Sequence, residues 1–265
     1  MLEIELASRS CGSRRVYLRE LTAKDEMTTG PGDAWSVSEL LGRLLLDVPG
    51  AAVCATDPHE MTVSDRDRLV AALYRDCFGD LVESRVACAQ CGDAFEFSFS
   101  LSGLVDEIHD QPAAVEASGP DAEGFYALAD GTLFRLPTID DERALRATAD
   151  EDLSAVLRSR CIVSGEGALD QDRVEVCMEA LGPVLDLSLD VTCALCGAEQ
   201  KVRFDVNSFF WATLAKERPL LSREIHSIAR AYGWSFDQIL LLPRSERRAY
   251  VSLIEAERGW MEESL

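Results

Sequence analysis

The chain has 265 residues, 47% of them hydrophobic, and carries 47 acidic against 26 basic side chains for a net charge of −21. That length and apolar content suffice for a buried core, and no run approaches the ~20 consecutive apolar residues of a membrane span. The acidic start, with Glu3 and Glu5, lacks the basic region of a secretory signal, so the expectation is a cytoplasmic protein.

The charge is uneven. Residues 1–100 hold 10 Lys/Arg against 17 Asp/Glu, residues 101–200 hold 6 against 21, and residues 201–265 hold 10 against 9. An acidic middle repels phosphate backbones, which counts against nucleic acid as a partner.

In chain order, period-two alternation at residues 2–6 and 16–21 predicts two strands that pair across Gly12. Thr22, followed by Asp25, predicts a helix start with a hydroxyl cap and a carboxylate near the first amides. Helices are expected over 37–46 and 65–78, then a short strand from Val86, then a strand on which Phe95, Phe97, Phe99 and Leu101 face one way. Residues 110–124, rich in Pro, Gly and Ala, read as a linker. Residues 125–136 read as a hairpin turning at Asp130 and Gly131, with helices to follow from Asp141, over 153–160 and over 170–181. The acidic runs 140–142 and 150–152 read as solvated helix caps. The tail predicts one helix from Asn207 to Lys216, a second over 220–232, a third over 236–241 and a last over 243–257.

The most specific signal is a pair of Cys-x-x-Cys-Gly knuckles, Cys88 and Cys91 with Gly92, and Cys193 and Cys196 with Gly197, set 105 positions apart. Each supplies two thiolates and a structural zinc takes four, so the two knuckles are expected to complete one tetrahedral site. That site has no open coordination position, which makes it structural. A redox role needs the first cysteine at a helix N-terminus, whereas strand-like segments follow here. Cys11, Cys54, Cys77, Cys161 and Cys177 stand outside the knuckles and read as small buried groups. His59, His109 and His226 form no catalytic or metal motif.

The knuckles belong to a longer echo. Asp67 and Arg68 precede Cys88 as Asp172 and Arg173 precede Cys193, by 21 residues from aspartate to cysteine in both. Arg19, Thr22, Asp25 and Glu26 recur as Arg135, Thr138, Asp141 and Glu142 at an offset of 116, so the first copy holds 11 extra residues, with 28–35 the candidate insertion. The chain therefore reads as an internal duplication. The expected class is α+β, with two duplicated lobes of short strands and helices joined by a four-cysteine zinc site, plus a C-terminal all-helical module. The boundaries are 1–109, a linker over 110–124, 125–205 and 206–265. In the tail, Arg244, Arg247, Arg248, Tyr250, Tyr232 and Trp234 have the composition of an interface core and are the candidate partner-binding residues.

Residues 134–141, the second knuckle, Phe209-Phe210-Trp211, the run from Glu224 through Tyr232-Gly233-Trp234-Ser235, and the Arg247-Arg248-x-Tyr250 segment resemble baseplate proteins of T-even-type phages and contractile phage-tail-like injection systems. The resemblance covers most of residues 125–257. It implies a non-enzymatic baseplate or hub subunit that binds other baseplate proteins and ends in an assembled particle, with no small-molecule substrate. The rival reading of the knuckles is a zinc-ribbon regulatory or nucleic-acid-binding module.

Overall fold

The computed structural model describes residues 1–6, 15–27, 34–48, 58–109, 115–148, 152–164 and 171–263. Cys11, Gly12, Cys54, most of the 28–35 insertion, Asp150 and Glu151 lie outside them. Helices and strands are mixed along the whole chain, as an α+β protein requires.

Strands β1 (Leu2–Glu5) and β2 (Arg15–Leu18) pair antiparallel, with Ile4 opposite Val16. Helices α1 (Ala23–Met27) and α2 (Ala34–Leu44) follow, and Leu45 returns to bridge Leu18 at the open edge of β2. A short helical turn at Pro58–Glu60 leads to α3 (Val63–Phe78), whose Thr62 cap accepts the Asp65 N–H. The antiparallel ribbon β3 (Leu81–Ala87) and β4 (Ala94–Ser100) carries the first knuckle at its tip. Leu101 does not extend β4. It opens α4 (Leu101–His109), because Asp80 accepts the Ser102 N–H and the hydroxyls of Ser100 and Ser102, turning the chain there.

Part of the expected linker is strand. β5 (Ala117–Ser118) joins β6 (Phe125–Leu128), β7 (Leu133–Arg135) and β8 (Ile162–Ser164) in one four-stranded sheet. The β6–β7 turn is the one expected: Gly131 has φ +88, and the Asp130 carboxylate accepts the Thr132 N–H. Between β7 and β8 lie α5 (Ile139–Ala147) and α6 (Leu153–Cys161); then come α7 (Gln171–Leu181) and the ribbon β9 (Asp186–Thr192) and β10 (Glu199–Asp205), tipped by the second knuckle.

The tail departs from expectation. Where two helices were read on either side of Pro219, one helix, α8 (Val206–Tyr232), runs through the proline. Proline forfeits one interior hydrogen bond and normally kinks or breaks a helix. Leu214 and Leu221, on either side of it, are both buried, and that packing keeps the chain helical through the proline. Gly233 ends α8 in the left-handed region at φ +70. Helices α9 (Phe236–Leu240), opened by a Ser235–Gln238 capping box, and α10 (Arg244–Glu263) follow.

The cores cross the expected boundaries. The largest joins β2, α2 and α3 to Ile139, Leu185, Phe204 and the first two turns of α8, where Phe210 and Trp211 are buried. A smaller one lies under β6 and β7 with Cys161, Val174 and Met178, and a third packs Ile228, Ile239 and Ile254 among the last three helices.

The order β2, α1, α2, return edge, α3, ribbon, helix reappears as β7, α5, α6, β8, α7, ribbon, helix. The bonding at the strand-to-helix switch repeats as well. Arg19 donates to both oxygens of Asp25, at 2.6 and 3.1 Å, and to the Glu20 carbonyl. Arg135 does the same to Asp141, at 2.5 and 3.0 Å, and to the Leu136 carbonyl. Asp25 accepts the Thr22 N–H and Asp141 the Thr138 N–H, each at 2.9 Å. A second arginine, from α2 or α6, approaches each carboxylate: Arg43 at 3.9 Å from Asp25 and Arg160 at 2.7 Å from Asp141.

Each switch segment also receives the start of another helix. At Thr138, the Val63 N–H donates to Pro137 and the Ile139 N–H to Met61, while Arg66 of α3 pairs with Glu142. At Thr22, the Arg244 N–H donates to Leu21 and the Ala23 N–H to Leu242, while Arg247 of α10 pairs with Glu26 at 2.6 Å. The starts of α3 and α10 thus occupy matching places, Thr62 with Pro243, Val63 with Arg244 and Arg66 with Arg247.

Candidate metal centre

Each ribbon turns through its knuckle in the same way. The Cys88 N–H donates to Asp93 and Gly92 donates back to the Cys88 carbonyl; Cys193 with Ala198, and Gly197 with Cys193, repeat the pattern at 2.8 and 2.9 Å. Gly92 and Gly197 have φ of +77 and +76, and a Cβ at either would meet nothing within 4 Å. Glycine is therefore required by backbone conformation and not by space.

The ribbons bring the two knuckles together. The four sulfurs of Cys88, Cys91, Cys193 and Cys196 lie within 4.8 Å of one another, and those of Cys88 and Cys196 are 3.6 Å apart. Four sulfurs at about 2.3 Å from one zinc stand about 3.8 Å from each other, so this cluster fits a tetrahedral ion after small adjustments. Cys88 and Cys193 are buried over Phe95 and Val191, whereas Cys91 and Cys196 face outward. Gln200 on β10 reaches across to accept the Ala89 N–H at 2.8 Å and donate to the Ala87 carbonyl, tying one knuckle to the other ribbon.

Backbone N–H groups of Cys91 and Gln90 pull the Cys88 thiol down to about 6. Cys91 feels a similar pull from Asp93, but desolvation and the neighbouring sulfurs outweigh it and push it up to about 12. Cys196 is raised too, the Ala198 N–H being outweighed by Cys88 and Cys193 and by desolvation, and a divalent cation would favour the thiolate forms instead. The other described thiols are not reactive by design. Burial pushes Cys77 up to about 12 and Cys161 up to about 11, and raises Cys177.

The candidate partner-binding residues divide. Tyr232, Trp234 and Tyr250 form a triangle with ring centroids 5.1 to 5.6 Å apart, and Tyr232 is 40% exposed. Arg248 is half-exposed and pairs with Glu217. Arg244 and Arg247 are not surface residues: they are 6% and 1% exposed, held by Glu26, Glu217 and Glu224. A buried guanidinium demands such acceptors, and Glu26, over 200 residues earlier, supplies them. The acidic run 140–142 is likewise not all solvated. Asp141 is fully buried and clamps Arg135 and Arg160, leaving Asp140 outside.

A second charged centre went unread in the sequence. Asp67 is 1% exposed and accepts from Arg66, from Asn207 at 2.9 Å and from the Leu185 N–H at 2.9 Å. It joins α3 to the approach to β9 and to the start of α8. Burial dominates its environment and raises its carboxyl despite Arg66. Of the histidines, His59 stacks on Trp35 with centroids 4.3 Å apart and His226 is exposed, neither beside the cysteines. Among the described residues, the four knuckle cysteines are the cluster suited to holding a metal. No helix of the described residues is long and apolar enough to cross a membrane.

Comparison with family models, with curated proteins and with solved structures returns no match.

Proposed function

We propose that the chain is a structural subunit, a zinc-stapled adaptor in the baseplate of a contractile phage tail or phage-tail-like injection system. The observation that carries the structural part is the closed set of four sulfurs from two knuckles 105 residues apart. Zinc held by Cys88, Cys91, Cys193 and Cys196 would have no free position for substrate or water, and its binding energy would serve folding. We read the two halves as copies of one ancestral lobe. The repeated element order, the matching clasps at Asp25 and Asp141 and the matching knuckles support that reading. The baseplate assignment rests on the resemblance of residues 125–257, and the aromatic triangle of exposed Tyr232 with half-buried Trp234 and Tyr250 is the surface offered to other baseplate proteins.

Elemental analysis of the full chain purified without chelator should give about one zinc per chain. None, or two, overturns the shared site. Co-purification with tube, sheath or hub proteins encoded beside it tests the assembly role. Binding to duplex or single-stranded nucleic acid that weakens steeply with salt would replace it with the zinc-ribbon reading.

A further inference from the structure

The two helix-start joints match in backbone bonding, and the side chain at the first helical position differs between them. At the Thr22 joint, Arg244 extends its stem past Phe78, its guanidinium 4.8 Å from that ring, and pairs with Glu26 at 2.7 Å. At the Thr138 joint the matching position is Val63, whose side chain reaches only to its two γ-methyls. A groove of about 220 Å³ opens there, with Val63, Leu136, Leu145, Leu157, Gly182 and Glu142 among its walls. The walls are mainly apolar, with Thr62 and Ser64 also lining them, and the one charged group is the carboxylate of Glu142, which corresponds to Glu26.

We propose that this groove receives an arginine side chain from a partner protein, seated as Arg244 is seated at the other joint. The shape is that of an aliphatic stem leading to a guanidinium, since the same backbone frame with the same glutamate holds one elsewhere in the molecule. Glu142 has room for it. One oxygen accepts from Arg66 and the other from Arg146 at 3.3 Å, and a carboxylate offers about four acceptor positions. Glu142 keeps 30% of its side chain exposed, so an incoming cation reaches it from solvent. Arg66 and Arg146 already flank Glu142, so the incoming guanidinium shares that carboxylate with them, as Arg244 shares Glu26 with Arg247. Val184, 40% exposed at the rim, and Leu153, 46% exposed one turn before Leu157, give the flanking residues of a partner apolar footing.

The test uses the full chain with methyl-labelled Val and Leu and, as probe, N-acetyl-arginine N-methylamide, followed by NMR. Shifts confined to the methyls of Val63, Leu136, Leu145, Leu157 and Val184, half-complete at about 1 to 10 mM, are expected for one seated side chain. The uncharged citrulline analogue should bind at least about tenfold more weakly, the loss of one charge-assisted contact. Val63→Arg, which supplies the guanidinium from within, should abolish the response and leave the melting temperature unchanged or higher. Equal response to the citrulline or leucine analogue would make this a plain apolar groove and overturn the proposal, as would no response at about 50 mM. The wild-type arms decide the question even if Val63→Arg fails to fold.

Discussion

The clasp at Asp25 and the clasp at Asp141 use the same side chains and differ in how tightly they close. Asp141 is fully buried between Arg135 and Arg160, both within hydrogen-bond reach, whereas Arg43 stays 3.9 Å from Asp25. The apolar support runs the other way. The first clasp sits on the large core that borrows Phe204, Phe210 and Trp211 from the second half, and the second lies between the small cluster around Phe134 and Cys161 and the edge of that core at Ile139. The clasp with the smaller cluster of its own has the closer charge pairs.

The knuckles set the baseline for that contrast, because there the halves should be equal. Removing zinc with a strong chelator, or replacing Cys88 or Cys193 by serine, should lower the stability of the fold most of all. Structural zinc in small modules is worth on the order of 10 kcal/mol at neutral pH. Thermal denaturation should show equal losses for the two variants, and unequal losses would mean that the halves do not share one ion.

The clasps should then separate. Asp141→Asn leaves two arginines without their buried acceptor and should cost about 3 to 5 kcal/mol in urea unfolding. Asp25→Asn, with one close partner, should cost less, about 1 to 3 kcal/mol. Equal costs would remove the distinction between the halves.

Acid sharpens the same comparison. Burial tends to raise both carboxyls, but for Asp141 the hydrogen bonds from Arg135, the Thr138 N–H and Arg160 outweigh it and hold the group far below the usual carboxylate range. Asp25 is lowered in the same way, by Arg19 and Thr22. A depressed carboxyl contributes stability that is complete above the unfolded value of about 3.9 and is lost as pH falls toward the folded one. Asp67, raised by burial, works in the opposite sense and recovers stability on protonation. Unfolding free energy should therefore drop below about pH 4, and Asp141→Asn should flatten that drop more than Asp25→Asn.

The smallest effects belong to the knuckle glycines. Gly92→Ala and Gly197→Ala should each cost about 1 to 2 kcal/mol, since both residues sit at positive φ in open space.

Much of this architecture was legible because it is local. A cysteine knuckle with its glycine, a Thr-x-x-Asp cap and an Asp-Gly hairpin each declare themselves within four or five residues, and their fixed offsets displayed the echo. What stayed hidden depends on distant partners. Arg244 and Arg247 have the composition of an interface core, and only the arrival of Glu26 and Glu224 makes them interior. Asp141 looked like a solvated cap because Arg160 lies 19 residues away. The matching helix starts share one faint trace, an arginine four places after Thr62 and after Pro243, which takes on meaning only beside Glu142 and Glu26. Pro219 misled in the other direction, since a local breaker was overruled by burial on both of its flanks.

Helix α8 begins at the foot of the ribbon that bears the second knuckle and ends at Tyr232 in the aromatic triangle. Its 27 residues measure about 40 Å at 1.5 Å per residue. Its first turns are fixed in the large core by Phe210, Trp211 and Leu214, and its last turns pack Ile228 against the final two helices. The ribbon that bears the second knuckle and the helix that ends beside Trp234 and Tyr250 are thus one unbroken stretch of chain, Asp186 to Tyr232, anchored midway in the large core.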